Sequence, residues 1–157
     1  MTEITSSTNP ILSTPAQEVG EINDETRKTI QTMWKVHAEK NALGLAAPQI
    51  GISLKIAVVG YEPTEAHLKK DPDLKSIPKF VLINPKVVWH PEKAKVQKEA
   101  CLSVPDEEVG VPRYEKIHIE YQDEAGKKCR LKARGLTARI IQHEIDHLEG
   151  KTILSYK

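Results

Sequence analysis

The sequence predicts an α+β fold, and three features lead to that class. Two β-branched or aromatic runs of strand length, Ser53 to Gly60 and Phe80 to Asn84, precede a segment in which Ile117, Ile119 and Tyr121 alternate with polar neighbours. The polar turn Asp123 to Gly126 then sends the chain back through Cys129 and Leu131, as a hairpin does. One helical stretch comes late, from about Thr137, a residue able to cap it, to Glu149, with Gly150 placed to stop it. Strands followed by a single late helix define the class.

The remaining elements follow simple patterns. Asn23 or Asp24 can cap a helix whose Ile30, Met33, Trp34 and His37 keep the i, i+3, i+4, i+7 rule, ending near Asn41; this helix reads as scaffold. Between the first two strands, Tyr61 to Lys79 is rich in lysine and proline and has few large apolar residues other than Leu68, Leu74 and Ile77. It reads as a surface insertion and not as a linker, so residues 1–157 are expected to form a single catalytic domain. A chain of 157 residues can bury one core without disulfides.

With 23 basic against 22 acidic residues, the net charge of +1 gives no electrostatic reason to expect nucleic acid or an anionic membrane as the main partner, and no direct DNA binding is expected. Specificity is therefore expected to lie in a site. The stretch Met1 to Pro15 is polar, and no segment approaches the length of a membrane span, so a cytoplasmic location is expected. In a reducing compartment Cys101 and Cys129 are expected as thiols, Cys129 as a buried filler.

The late helix carries His143-Glu144-Ile145-Asp146-His147, and a spacing of four brings both imidazoles to one face about one turn apart. Two ligands for one metal ion are thus preorganised. Leu136 and Ile140 continue that face toward the N-terminus, and Glu144 points about 100° round the helix, near the ion without being a ligand. A catalytic site of this kind takes three protein ligands and leaves a position open, so a third must come from elsewhere in the chain. Cys101 stands in Glu99-Ala100-Cys101-Leu102-Ser103-Val104-Pro105, too short and proline-bounded for a helix and suited to an extended edge. An isolated cysteine is more commonly a buried hydrophobe, and His37, His67, His90 and His118 read as ordinary surface or core residues.

Three segments together resemble the peptide deformylase signature: Gly44-Leu45-Ala46-Ala47-Pro48-Gln49 with Gly51, then Glu99-Ala100-Cys101-Leu102-Ser103, then Gln142-His143-Glu144-Ile145-Asp146-His147-Leu148. Their order is the family's, and similarity extends from Pro10-Ile11-Leu12 through Val111-Pro112-Arg113 to Gly150. The resemblance implies small antiparallel or mixed sheets around a central helix that carries the H-E-x-x-H motif. It implies a metal-dependent hydrolase that removes the formyl group from the N-terminal formyl-methionine of nascent polypeptides, releasing formate.

By the same resemblance Cys101, His143 and His147 are the metal ligands and Glu144 is general base and then general acid. Gln49, through its amide, and Leu102, through its backbone N–H, are the oxyanion donors; Leu43, Gly44 and Ala100 offer backbone to the substrate peptide; Leu136 and Ile140 wall the methionine slot. Glu99 and Arg113 are candidates for an ion pair behind the site, and Asp146 for orienting a neighbouring group. The implied cofactor is one divalent ion, Fe2+ first, with Zn2+, Ni2+ or Co2+ able to use the same ligands. The implied partners are N-formyl-methionyl nascent peptides, met at the ribosome. Ala42 and Ala100 stand where the family usually has glycine. Two other readings remain open, a metallopeptidase and a deformylase-like metal-binding protein with weak or lost activity.

Overall fold

The chain is described from residue 2 to residue 157 in a computed structural model. A capping box starts the first long helix, α1 (Asp24–Glu39): the Asn23 side chain accepts from the Thr26 N–H at 3.0 Å, and Thr26 Oγ1 accepts from the Asn23 N–H in return. Asn23, not Asp24, is therefore the cap. Strands β1 (Gly44–Ala46) and β2 (Ile56–Tyr61) follow, separated by a 3-10 turn at Ala47–Ile50. A short helix α2 (Glu65–Lys70) comes next, then β3 (Ile77–Trp89), β4 (Lys95–Cys101), β5 (Val104–Arg113), β6 (Lys116–Gln122), β7 (Lys128–Arg134) and helix α3 (Gly135–Leu148). The chain ends on a 3-10 turn at Ile153–Tyr156.

Five strands form one antiparallel sheet in the order β1-β2-β3-β6-β7, while β4 and β5 pair as a separate hairpin. The α+β class and the antiparallel pairing agree with the expectation from sequence. Alternation along the strands gives the large sheet two apolar faces at its β1–β3 end. Ala57, Val59 and Leu82, with Ile117 and Ile119, face Ile140, Ile141, Ile145 and Leu148 of α3. Ile56, Val58, Val81 and Ile83 face Ile30, Met33 and Val36 of α1. The helix with the paired histidines thus lies across one face, held by the larger apolar cluster.

Several boundaries differ from the sequence reading, each for a physical reason. Helix α3 starts at Gly135, two residues before Thr137, and has no side-chain cap. The chain turns directly out of β7 there: Gly135 takes φ +58° and its N–H is satisfied by the Glu115 carbonyl at 2.9 Å. Strand β3 runs well past Asn84 because a bulge lets it continue. Asn84 sits at φ +51° and its amide clasps both the N–H and the carbonyl of Val19. The insertion is largely exposed, as expected, but it encloses α2, and its ends belong to the sheet: Tyr61 to β2 and Ile77, which is buried, to β3. The β4–β5 hairpin escaped the sequence reading because Lys95 to Lys98 lie exposed and carry no alternating apolar signal.

Gly150 ends α3 as expected, with φ +81° and a Schellman pair of bonds, Gly150 N–H to the His147 carbonyl and Lys151 N–H to that of Asp146. A Cβ there would meet the Thr14 and Pro15 backbone at 2.8 and 2.9 Å. We expect Gly150→Ala to lose more than the ~1–2 kcal/mol that left-handed backbone alone costs a side chain. Urea unfolding of the variant, compared with the parent chain, measures it.

Candidate metal centre

Helix α3 delivers His143 and His147 from successive turns, with ring centroids 5.0 Å apart and planes at 75°. The end of β4 delivers Cys101. One ligand atom from each of the three lies within 4.8 Å of the other two, and Cys101 Sγ is 3.4 Å from His147 Nε2. Zinc-type bonds of ~2.0–2.3 Å at tetrahedral angles place ligand atoms ~3.5 Å apart, so this donor set suits one late first-row ion. Cys101 and His147 are both buried.

Gln49 reaches the same point from the turn after β1. Its Oε1 accepts from the Ala46 N–H at 3.0 Å, which fixes the amide so that Nε2 faces Cys101 Sγ at 3.7 Å and Ser103 Oγ at 3.3 Å. Glu144 is 3% exposed, and its Oε2 has no hydrogen-bond partner. Burial raises its pKa to about 7 against the opposing pull of His143 and Arg113. Gly44 makes that placement possible: a Cβ on residue 44 would meet Glu144 Oε1 at 2.8 Å and Ile140 Cγ2 at 2.9 Å. The glycine is needed for the helix side chains behind it, a reason the sequence reading did not supply.

Behind the ligands lies a chain of buried charge. His143 Nδ1 donates to Glu99 Oε1 at 3.0 Å, leaving Nε2 for a metal. Arg113, 3% exposed, holds Glu99 with a two-pronged contact at 2.9 and 3.0 Å and turns Nη1 to Asp146 Oδ2 at 2.6 Å. The same Asp146 oxygen accepts from the Tyr156 hydroxyl at 2.7 Å, and Arg139 approaches Glu99 Oε2 at 3.4 Å. Burial alone would raise Glu99, but the bonds from His143 and Arg113 outweigh it and hold the carboxyl at about 2. Burial likewise works to lower His143, yet Cys101 and Glu99 raise it to about 10, so the pocket around Nε2 favours positive charge. Burial lowers His147 to about 3, keeping the neutral imidazole that can bind a cation.

The expected substrate residues differ in exposure. Leu43, Leu102 and Leu136 are 39, 40 and 36% exposed, while Ile140 is buried against the Gly44 position. Ala100 is exposed and Cys101 buried, so the two point to opposite sides of β4 as extended backbone requires. Glu99, Arg113 and Asp146 form one buried assembly and not surface pairs. Ser103, Arg139 and Tyr156 belong to the site's surroundings but carried no signal beyond lying near a motif, and Tyr156 did not even do that. Cys129 is half-buried at the β6–β7 hairpin, close to Asp123, and not a core filler. His37 is a core histidine bonded to the Gly60 carbonyl. The sheet's two open concavities, one beside Trp34 and Phe80 and one beside Lys86 and Arg130, contain none of the site residues.

Three side chains that could hold one metal ion, with a buried carboxylate beside them, suit a class, the metal-dependent hydrolases. Comparison with known proteins narrows the class. The family model described as polypeptide deformylase matches residues 1–156. Peptide deformylase of Dictyoglomus thermophilum is 39% identical over 146 residues, covering 93% of this chain and 86% of its own. Among solved structures, a class I type b peptide deformylase from Acinetobacter baumannii, bound to Met-Ala-Ser, superposes with a TM-score of 0.90 at 28% identity, all of each chain covered. A peptide deformylase from Synechococcus elongatus in complex with actinonin gives 0.83 at 36% identity, over 98% of this chain and 79% of that one. The chain belongs to the peptide deformylase family, whose members depend on a metal ion.

Arg113 is the obvious point at which to break the assembly. Arg113→Met would leave two buried carboxylates without their counter-charge, and a buried pair broken on one side loses about 3–5 kcal/mol. We expect that loss in denaturant unfolding, together with weaker Co2+ binding by titration, because Glu99, freed from Arg113, no longer holds the His143 ring in one orientation.

Proposed function

We propose that this chain, acting as a single catalytic domain over residues 1–157, removes the formyl group from the N-terminal formyl-methionine of nascent polypeptides. Cys101, His143 and His147 hold the metal in this reading. The observation that carries it is Glu144, a carboxyl buried beside the Cys101, His143 and His147 cluster with one oxygen unpartnered. A divalent ion on those ligands supplies Lewis acidity, which makes a water nucleophilic near neutral pH. Fe2+ is our first assignment, with Zn2+, Ni2+ and Co2+ compatible with the same thiolate and imidazoles.

The chain's own residues do the rest. Glu144 takes a proton from the attacking water, and its raised pKa suits a group that must accept and then release a proton near neutrality. As the formyl carbon becomes tetrahedral, Gln49 Nε2 and the Leu102 N–H donate to its oxygen. Glu144 then gives its proton to the departing nitrogen, the C–N bond breaks, and formate and a free amino terminus result.

Substrate enters in this reading as an added strand. Gly60 N–H bonds the Leu43 carbonyl and Gly44 pairs with Val59, so the alternation of antiparallel pairing turns the polar groups of Gly44 to the open edge of β1. A peptide laid there adds to the sheet, with Leu43 and Ala100 flanking it. Leu136, Ile140 and the ring of His143 offer an apolar wall for the methionine. Free Cys101 and Cys129 agree with a reducing, cytoplasmic setting. Peptides emerging from the ribosome are the substrates we assign.

Formate release from formyl-Met-Ala-Ser by anaerobically purified protein tests the proposal directly, and cleavage of internal peptide bonds without formate would replace it with a peptidase. Glu144→Ala should keep its metal by elemental analysis while turnover falls about 10²- to 10⁴-fold. Gln49→Leu removes one donor to the oxyanion, a loss of about 2.7–4 kcal/mol in transition-state stabilisation. Steady-state kinetics should show it in kcat; a change in KM alone would make Gln49 a substrate holder.

A further inference from the structure

The large sheet has a second face that α1 covers only at the β1–β3 end. On the uncovered part, β7 presents Lys128, Arg130, Lys132 and Arg134 at alternate positions, all exposed, while Cys129, Leu131 and Ala133 turn inward. Across the ladder stand Gln122, Glu120, His118 and Lys116, paired one to one with those four residues. Next to them on β3, Lys86 pairs with Glu120, and Trp89, 44% exposed, pairs with His118 with ring centroids 4.6 Å apart. A shallow concavity joins Lys86, Glu120, Gln122, Lys128 and Arg130.

Charging an edge strand is a common protection against aggregation, and mixed signs achieve it. Here one sign prevails, with six Lys and Arg residues to one Glu across β3, β6 and β7 on this face: Lys86, Lys116, Lys128, Arg130, Lys132 and Arg134 against Glu120. Lys116 faces Arg134, and like charges directly opposite destabilise a sheet; the next pair along is His118 with Lys132. Desolvation and then the charges of Lys132, Lys116 and Arg130 hold His118 below its ordinary pKa. Only Glu120, bonded to Arg130 at 3.1 Å, offsets the row. The chain's net charge of +1 is thus an average that conceals one strongly cationic face.

We propose that this face binds single-stranded RNA, its Lys and Arg row following the phosphates and Trp89 offering a stacking surface for a base. Alternate residues on a strand are ~6.6–6.8 Å apart, so the four β7 cations span about 20 Å of edge, a length that suits an extended polyanion better than a compact anion. An exposed indole set among cations is the combination that nucleic-acid strands use and acidic proteins do not require. The face lies on the other side of the sheet from α3, so an RNA held there leaves the metal centre open. The proposal is independent of the deformylase reading.

The test is fluorescence anisotropy of labelled oligouridylate with the full chain, and formate release measured on the same samples. We expect binding at low salt that weakens as salt rises. Lys116→Glu with Lys132→Glu should raise Kd about tenfold or more and make the salt slope shallower by about 1.4, near 0.7 for each lost phosphate contact to a single strand. Lys69→Glu with Lys70→Glu makes the same charge change on exposed α2 and should move Kd by less than about twofold. RNA should quench tryptophan emission in the parent chain and not in Trp89→Phe. The proposal is overturned by absence of binding at low salt, by equal weakening in the two charge-reversed variants, or by polyglutamate displacing the RNA as well as unlabelled RNA does. An unchanged urea-unfolding midpoint in both variants shows that they remain folded.

Discussion

Arg113 is the group on which the centre depends, because one buried side chain on β5 bonds carboxylates of both β4 and α3. It rises from β5, grips Glu99 on β4, and reaches Asp146 on α3, while Tyr156 of the last turn closes on the same aspartate. One of these carboxylates, Glu99, fixes the ring of His143, and β4 ends on Cys101. The guanidinium therefore sets where the hairpin sits relative to the helix, and hence the distance between thiol and imidazoles. An apolar contact could glue the same surfaces with equal strength, but it would not fix direction. A planar fork meeting a carboxylate does.

The hairpin needs such a device because it is otherwise lightly held. Its own apolar cluster is small, Cys101, Val104, Val109 and Val111 against Ile153, with Leu154 and Tyr156 at the side. The large sheet holds α3 through a far broader set of contacts. Two rigid bodies of unequal size thus meet at the metal site, the smaller one steered by charge. The same economy shows at Gly44, where omission of one side chain lets Glu144 and Ile140 press against β1. Burial of that carboxylate then follows from packing, and its raised pKa follows from burial.

What could be read in the sequence was local. The spacing of His143 and His147, the cap at Asn23, the stop at Gly150 and the turn at Asp123 each depend on residues a few positions apart, and each is present. Gln49 and Cys101 were legible only because their motifs resemble a family, since nothing in spacing brings residues 49, 101 and 143 together. The start of α3 was misread because a tertiary bond from Gly135 to Glu115 replaces the side-chain cap that Thr137 suggested. The segment at Cys101 was read as an extended edge, but its pairing with β5 was missed because β4 is exposed and carries no apolar alternation, and the short alternation at Val109 and Val111 was not singled out. Tyr156 was invisible for a simpler reason: its contacts with Asp146 and the hairpin are tertiary, and a lone tyrosine gives no pattern.

Average charge was the least informative quantity, and the ladder register explains why. Composition counts lysines and glutamates without regard to face, whereas pairing decides which of them meet. Glu107 bonds Lys157 and Glu99 bonds Arg113, so these acids spend their charge at the hairpin and the centre. The β6–β7 surface receives Lys116, Lys128, Lys132 and Arg134 with no carboxylate bonded to any of them. A sheet that packs a catalytic helix on one side can leave the other side unbalanced only if folding does not depend on that side. Here the apolar residues of β6 and β7 all turn toward α3, so the outer row is free to answer to something outside the molecule.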